Sequence, residues 1–451
     1  MSIFSGVRGF SARFSRSSSN AGWTGIVAVA LTAVVALPGL AQAQQTLTLN
    51  EALRIAVERS RQIAARDSSI VALKEMGAAA GQLPDPVLKL GVDNLPVDGA
   101  DRYSIGRDFM TMRRIGVMQE ITRGDKRKLK TERFEREADR AVAEKGVAVA
   151  VLQKDTALAW LDRYYLERMR AVVAAQAQEA NLEIDAAEGA YRAGKGSQAD
   201  IFAARASRVV LDDKLSELDR RLRNARTMLA RWVGKLGDGP LACAPDIAKV
   251  ALASHSLEQD VESHPEIALL AREVAVAQTD AQLARANKQA DWSVELAYQE
   301  RGSSFSNMVS VGVSIPLQWD QKNRQDREVA AKVALTERAR AQQEDMLRAH
   351  VAEVRTMLNE WENGRERVAR YERELVPLAK DRTEAALAAY RGGKSDLTTV
   401  LAARRNEIDV RTQTLQLEMD TARIWAQLNF LAPEGAHAQT PDDHAPAKDS
   451  K

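Results

Sequence analysis

Ala190-Tyr191-Arg192-Ala193-Gly194-Lys195 returns 199 positions on, from 191 to 390, as Ala389-Tyr390-Arg391-Gly392-Gly393-Lys394. At the same offset, Ile201-Phe202-Ala203-Ala204-Arg205 returns as Val400-Leu401-Ala402-Ala403-Arg404. Each block reads as a helix, a Gly-Lys turn and a second helix. Other landmarks follow with small insertions and deletions. Thr48-Leu49-Asn50-Glu51 and Ser256-Leu257-Glu258-Gln259 both read as capping boxes that open a helix. Ile115-Gly116-Val117 matches Val311-Gly312-Val313. The period is too long for a solenoid unit and two copies are too few, so one module has been duplicated. The joint falls in residues 234–256, which hold Gly237, Gly239, Pro240 and Pro245.

Four segments recur in order within each copy. A helix runs from the capping box to about Gly81, and again from about Leu257 to Asn287. Two short strands follow. Then comes an uninterrupted helical stretch, about Asp125 to Arg192 and about Asn323 to Arg391. At 1.5 Å per residue such a helix is about 100 Å long. A last helix runs to about Val233 and about Leu431. No single globular core covers a helix that long, so it must lie along other long helices in a bundle or a coiled-coil tube. Leu211, Leu215, Leu218, Leu222, Ala225, Leu229 and Trp232 alternate spacings of four and three. Val410, Thr414, Leu417, Thr421, Ile424, Leu428 and Leu431 repeat that pattern. Both are heptad seams, the second weakened by its two threonines. The charges between seam positions read mostly as solvated faces. Pro377 interrupts the second long helix where copy one has Gln178, and reads either as a hinge or as a static kink.

The strands alternate with period two. Trp292, Val294, Leu296 and Tyr298 intercalate with Ser293, Glu295, Ala297 and Gln299. From Val309 to Trp319 the odd positions are apolar, with Ser310, Gly312, Ser314, Pro316 and Gln318 between. In copy one, Leu88, Leu90 and Val92 alternate with Lys89, Gly91 and Asp93, and Ile115, Val117 and Ile121 with Gly116, Met118 and Glu120. One oily and one polar side fit a soluble sheet on a core, or a membrane barrel with its polar side toward a lumen. Lys89 and Asp93 favour the wet lumen. Trp292 and Trp319, at helix-proximal strand ends, suit a membrane aromatic girdle. Four strands cannot close a barrel, so several chains would share one.

The full chain has 451 residues, with Lys+Arg 64 against Asp+Glu 62, a net charge of +2, 5% aromatics and one cysteine. Near-neutrality argues against a nucleic-acid binder, and one cysteine excludes an internal disulfide framework. Arg8, Arg13 and Arg16 precede an apolar run from Gly25 to Leu37 and the small-residue site Ala41-Gln42-Ala43. That is a secretory signal peptide, cleaved after Ala43. No cysteine lies near the cleavage site, which argues against a lipid anchor. The expected organisation is a signal peptide at 1–43, a first repeat at 44–234, a linker at 235–255, a second repeat at 256–431 and a disordered tail at 432–451. The fold class is mainly α with a small β part: a coiled-coil barrel of long helices joined to a β-barrel shared between chains.

Catalytic chemistry is not legible. His255, His264, His350, His437 and His444 make no pair at i, i+3 or i, i+4, and none neighbours Cys243. Met110, Met112 and Met118 cluster near the second strand; thioethers suit Cu(I) or Ag(I), but methionines of a strand and its approach loop are the better reading. No phosphate loop or nucleophile–base constellation occurs. The expectation is a passive conduit without cofactor, not an enzyme.

The duplicated module, the two strand pairs, the ~100 Å helices and the Ala-Tyr-Arg-x-Gly-Lys turns together resemble the TolC family of outer-membrane efflux channels. Gly81-Gln82-Leu83-Pro84-Asp85-Pro86 and Asp93-Asn94-Leu95-Pro96 are similar to its heavy-metal branch, CzcC-like and CusC-like. The resemblance implies a homotrimer in outer-membrane lipid, with four strands per chain and a helical tunnel in the periplasm. The tips Gly194-Lys195 and Gly393-Lys394 would meet a periplasmic adaptor and, beyond it, an inner-membrane pump of the RND type. It further implies a tip latch between Tyr390 and Asp200. The family's constricting arginine is replaced by Ser395, and its aspartate ring by Thr399 and Ala402. Asp396 could supply another ring. Competing readings are the same duct serving drugs or other small molecules, and a soluble periplasmic coiled-coil scaffold or adaptor.

Overall fold

Local sequence chemistry sets the ends of each helix. In the computed structural model, which describes residues 46–250 and 261–431, α1 (Leu49–Arg59) opens at Thr48, whose Oγ1 accepts from Glu51 N at 3.2 Å. The single first helix expected from sequence is two helices. Ser60 turns extended, ends α1, and caps α2 (Arg61–Ala80) by accepting from Ile63 N. Strands β1 (Val87–Asp93) and β2 (Met112–Ile121) follow. Next comes α3 (Gly124–Arg192), 69 residues in one run and about 100 Å long. α4 (Gln198–Val233) returns beside it and closes in a 3-10 turn, Gly234–Asp238.

The second copy repeats the order with α5 (Pro265–Ala286), β3 (Trp292–Glu300) and β4 (Met308–Ser314). Strand β4 is shorter than the alternation to Trp319 suggests; Pro316 has no N–H for a ladder. α6 (Gln325–Arg370) runs into one π-helical turn, Tyr371–Leu375, then α7 (Val376–Arg391) and α8 (Leu397–Asn429). The π turn is how the helix accommodates Pro377. A proline has no N–H for the carbonyl four residues back and its ring crowds that carbonyl. The widened turn relieves the crowding, and Val376 N–H bonds Tyr371 O instead. The signal peptide, the tail and the capping box at Ser256 lie outside the described residues.

The seam on α4 buries Leu211, Leu218, Leu222, Ala225 and Leu229, with Val233 rather than Trp232 inside at its end. On α8 the threonines do not weaken the packing. Thr414 and Thr421 are buried, and their hydroxyls bond Val410 O and Leu417 O, each at 2.8 Å. Gly364 of α6 lies against Thr421; a Cβ there would stand 2.5 Å from the Thr421 hydroxyl. Small residues thus let α6 and α8 approach. α8 also buries Leu415, Met419, Ala422 and Trp425, because it packs on α3 as well as α6.

One core joins the two copies at mid-tube, around Trp160, Leu161, Met419, Val354 and Trp361. Loop segments belt this level. Leu47 pairs with Leu241 in a parallel bridge, and Trp160 Nε1 donates to Leu47 O at 3.1 Å. Trp361 and Trp425 donate to Ile247 O at 3.2 Å and Lys249 O at 2.8 Å. An indole N–H only donates, so each buried tryptophan satisfies itself on a loop carbonyl. Arg163, 2% exposed, grips the linker through the Gly237 and Gly239 carbonyls and pairs with Glu167.

Candidate functional site

The four strands form one antiparallel sheet in the order β1-β2-β3-β4. The register puts Leu88, Val117, Leu296 and Val311 in one row across it. With Leu90, Ile115, Tyr298, Val309 and Val313 they make a continuous apolar face. Nothing among the described residues covers it; Val311 is 73% exposed and Leu90 70%. The opposite face is ion-paired. Lys89 Nζ lies 2.6 Å from Glu295 Oε2, crossing β2 where Gly116 presents no side chain. Arg114 bridges Asp93 at 3.4 Å and Glu295 at 3.5 Å. A Cβ on Gly116 would stand 3.0 Å from Ala297 Cβ, so the same position also lets the strands' inner side pack closely. Both edges, β1 and β4, are unpaired among the described residues.

This geometry inverts a soluble sheet, whose apolar side would face a second layer. Its oily face is outward and its charges are satisfied on the other side, the pattern of a barrel wall around water. Trp292 and Trp319 sit at the helix-proximal ends, both exposed, Trp319 by 88%. Met112 and Met118 share a face of β2 but lie about 20 Å apart along it, and Met110 is in the loop before it. They do not form a thioether cluster. Among the described residues no group of three His, Cys, Asp or Glu is placed to hold a metal ion, and no helix is long and apolar enough to cross a membrane.

The far ends of the helices form two matched hairpins. Gly194 and Gly393 have φ of 71° and 69°, a conformation open to glycine. In each, the following lysine N–H bonds back five residues: Lys195 to Ala190 O and Lys394 to Ala389 O, both 2.9 Å. These are Schellman endings, and the alanine and tyrosine carbonyls of the repeated motif are their acceptors. The next helices are capped by the same pair of groups with roles exchanged. Ser197 caps α4 and receives Asp200 in return, with Ser197 Oγ to Asp200 Oδ2 at 2.8 Å. Asp396 caps α8, accepting from Thr399 N at 2.9 Å and Thr399 Oγ1 at 2.6 Å. The Thr399 hydroxyl and the backbone N–H hold the Asp396 carboxyl below its ordinary range. Ser395 touches only the Asp396 carbonyl, at 3.5 Å.

Tyr390 packs into a tip core with Ala187, Ala204, Leu397, Val400 and Leu401, which draws on both hairpins. No hydrogen bond joins it to Asp200 in the single chain, where Asp200 Oδ2 is engaged with Ser197. The polar link between the hairpins stands one level higher. Arg404 of α8 pairs with Glu179 and with Glu183 of α3, its Nε 2.5 Å from Glu183 Oε1. Burial first, and Glu179 beside it, push the Glu183 carboxyl up against the opposing pull of Arg404. Further pairs, Arg168–Glu418 and Arg423–Asp162, continue this ladder along the tube. Many charges read from sequence as solvated are therefore braces between copies.

Residues 257–432 match the family model described as outer membrane efflux protein. The fold is shared with solved channels. The outer-membrane channel OprN is 15% identical with a TM-score of 0.70, over 86% of this chain and 90% of that one. VceC from Vibrio cholerae is 18% identical with a TM-score of 0.69, over 85% and 95%. CusC is 14% identical with a TM-score of 0.71, over 85% and 92%. No curated protein matches in sequence. The family match thus covers the second repeat, and the fold of the whole described chain is the one these solved outer-membrane channels share.

Proposed function

We propose that this chain is the outer-membrane exit duct of a tripartite efflux system, and that its cargo is heavy-metal cations. The uncovered apolar face, backed by an ion-paired polar face and flanked by two open strand edges, carries the reading. A four-stranded sheet of that kind is satisfied only in lipid and only with other copies of itself. Three chains would close twelve strands, with Trp292 and Trp319 at the membrane boundary. The helical tube would extend into the periplasm. Its hairpins Gly194-Lys195 and Gly393-Lys394 would meet a periplasmic adaptor and thereby an RND pump, which supplies energy and most substrate choice. The tip residues Tyr390, Asp200, Ser395, Asp396 and Thr399 would frame the aperture. Three copies of Asp396 would give an anionic ring where Thr399 and Ala402 cannot. In the closed tip, Arg404 with Glu179 and Glu183 would be the stronger tie between hairpins.

The metal assignment is supported by the proline-rich segments 81–86 and 93–96 and by the likeness to CusC among the solved channels. OprN and VceC fit the fold equally well, so a duct for other small molecules is the second reading. A deletion strain grown on Cu, Ag, Zn, Cd, Co and Ni salts beside common drugs separates the two. Metal sensitivity of the deletion strain, reversed by the plasmid-borne gene, supports the first. Unchanged metal tolerance with lost drug tolerance rejects it.

A further inference from the structure

Two histidines 86 residues apart meet inside the tube wall. His350 Nε2 of α6 lies 2.9 Å from His264 Nδ1, the residue that caps α5. The rings cross edge to face, and the two residues are 7% and 2% exposed. His264 holds the start of α5 through its backbone too: its N–H bonds Val261 O, and its carbonyl accepts from Ala268 N at 2.9 Å. Pro265 then starts the helix against Gly146 of α3. The pair therefore ties the entry of the second repeat to the middle of its long helix.

The duplication supplies an internal comparison. The corresponding junction in copy one, where α1 gives way to α2 at Ser60, is closed by Ala56, Ile63 and Leu152 with apolar neighbours. The fold does not need a titratable contact there. Copy two has one, and its chemistry is conditional. The contact needs one ring N–H and one bare ring nitrogen. A neutral pair or a singly protonated pair provides them; a doubly protonated pair has two donors and two positive charges face to face in a buried setting.

We infer that the His264–His350 contact is an acid-labile brace, which holds α5 to α6 near neutral pH and releases the first turn of α5 when both rings are protonated. Glu353 on α6 lies 3.4 Å from His350 Nδ1, on the far side of that ring. Glu266 on α5 and Lys154 on α3 line a cavity of about 40 Å³ beside the pair, to which Phe430 and Leu431 after α8 also contribute. The cavity is large enough for one water molecule, which would set a proton carrier beside the rings. Glu353 and Glu266 would receive the imidazolium rings once they part. The brace rests on the tube wall alone and is independent of cargo.

Hydrogen–deuterium exchange of the full-length, detergent-solubilised protein at pH 7.5 and pH 5.0, corrected for intrinsic rates, tests it. Protection of residues 261–270 should fall about tenfold or more across that span. Residues 52–66, the apolar junction of copy one, should change less than twofold in the same sample. His350→Leu should remove the pH dependence at 261–270. If that variant does not assemble, His264→Asn, which puts a good capping residue at the same N-cap position without a titrating ring, takes its place. A change below twofold at 261–270 in the wild type overturns the inference. So does equal loosening of both junctions, or an undiminished pH dependence in the variant.

Discussion

Val311→Arg separates a lipid-facing wall from a solvated sheet in one substitution. Val311 is central in β4, and its row across the sheet is Leu296, Val117 and Leu88. In water an arginine at so exposed a strand position costs under about 0.5 kcal/mol. At the midplane of a bilayer it costs about 2–4 kcal/mol per chain. If three chains share the barrel, the assembled wall carries three such charges and loses about 6–12 kcal/mol. The control is Ser310→Arg, one residue away on the polar face, where the side chain enters the ion-paired lumen and the cost falls to the surface range. Refolding of purified protein into lipid vesicles across a guanidinium series reads both. The midpoint should fall strongly for Val311→Arg and little for Ser310→Arg. Equal, small shifts for the two variants would refute the outward apolar face.

Further predictions address the tube and the tip. Gly393→Ala forces a side chain into φ 69° and should cost about 1–2 kcal/mol, read as faster exchange confined to residues 388–398. Arg163→Met strands the Gly237 and Gly239 carbonyls in a buried setting and should cost about 2–4 kcal/mol, read as a lower thermal midpoint with the helix content unchanged. Burial raises Glu183, so its ionised form is a cost above its folded value and the cost disappears on acidification. Glu183→Gln should therefore match or exceed wild-type stability at pH 7 and lose that margin by pH 4, in paired thermal melts. Asp396 shifts the other way: the stability it adds is present above the ordinary carboxylate range and is lost as pH falls through its lowered value. Asp396→Ala should lower stability at pH 7 through the lost helix cap and progressively less under acid, in the same melts.

What sequence reading captured was local. The Gly-Lys turns, the strand faces and the heptad seam on α4 each follow from residues a few positions apart, and their chemistry repeats in both copies. The 69-residue helix α3 was legible because nothing in it breaks a helix. The missed features depend on distant partners. The Ser60 break has a weak local signal, a serine that caps. The π turn could be anticipated as some disturbance before Pro377, but not as a wider turn. Arg163, Trp361 and Trp425 look like ordinary seam or surface residues until the linker is laid across them. His264 and His350 show no spacing rule because the pairing is set by α5 lying on α6. The Tyr390–Asp200 pairing is not formed within the single chain, and a local feature bears on it: Ser197-x-x-Asp200 is itself a capping box that engages one oxygen of the carboxylate.

The central claim is that this sheet lives in the outer membrane. Separation of cell envelopes on a density gradient, followed by a carbonate wash of each fraction, tests it most directly. The account predicts that the protein bands with the outer membrane and stays in the pellet until detergent is added. Recovery in the soluble periplasmic fraction without detergent would contradict it.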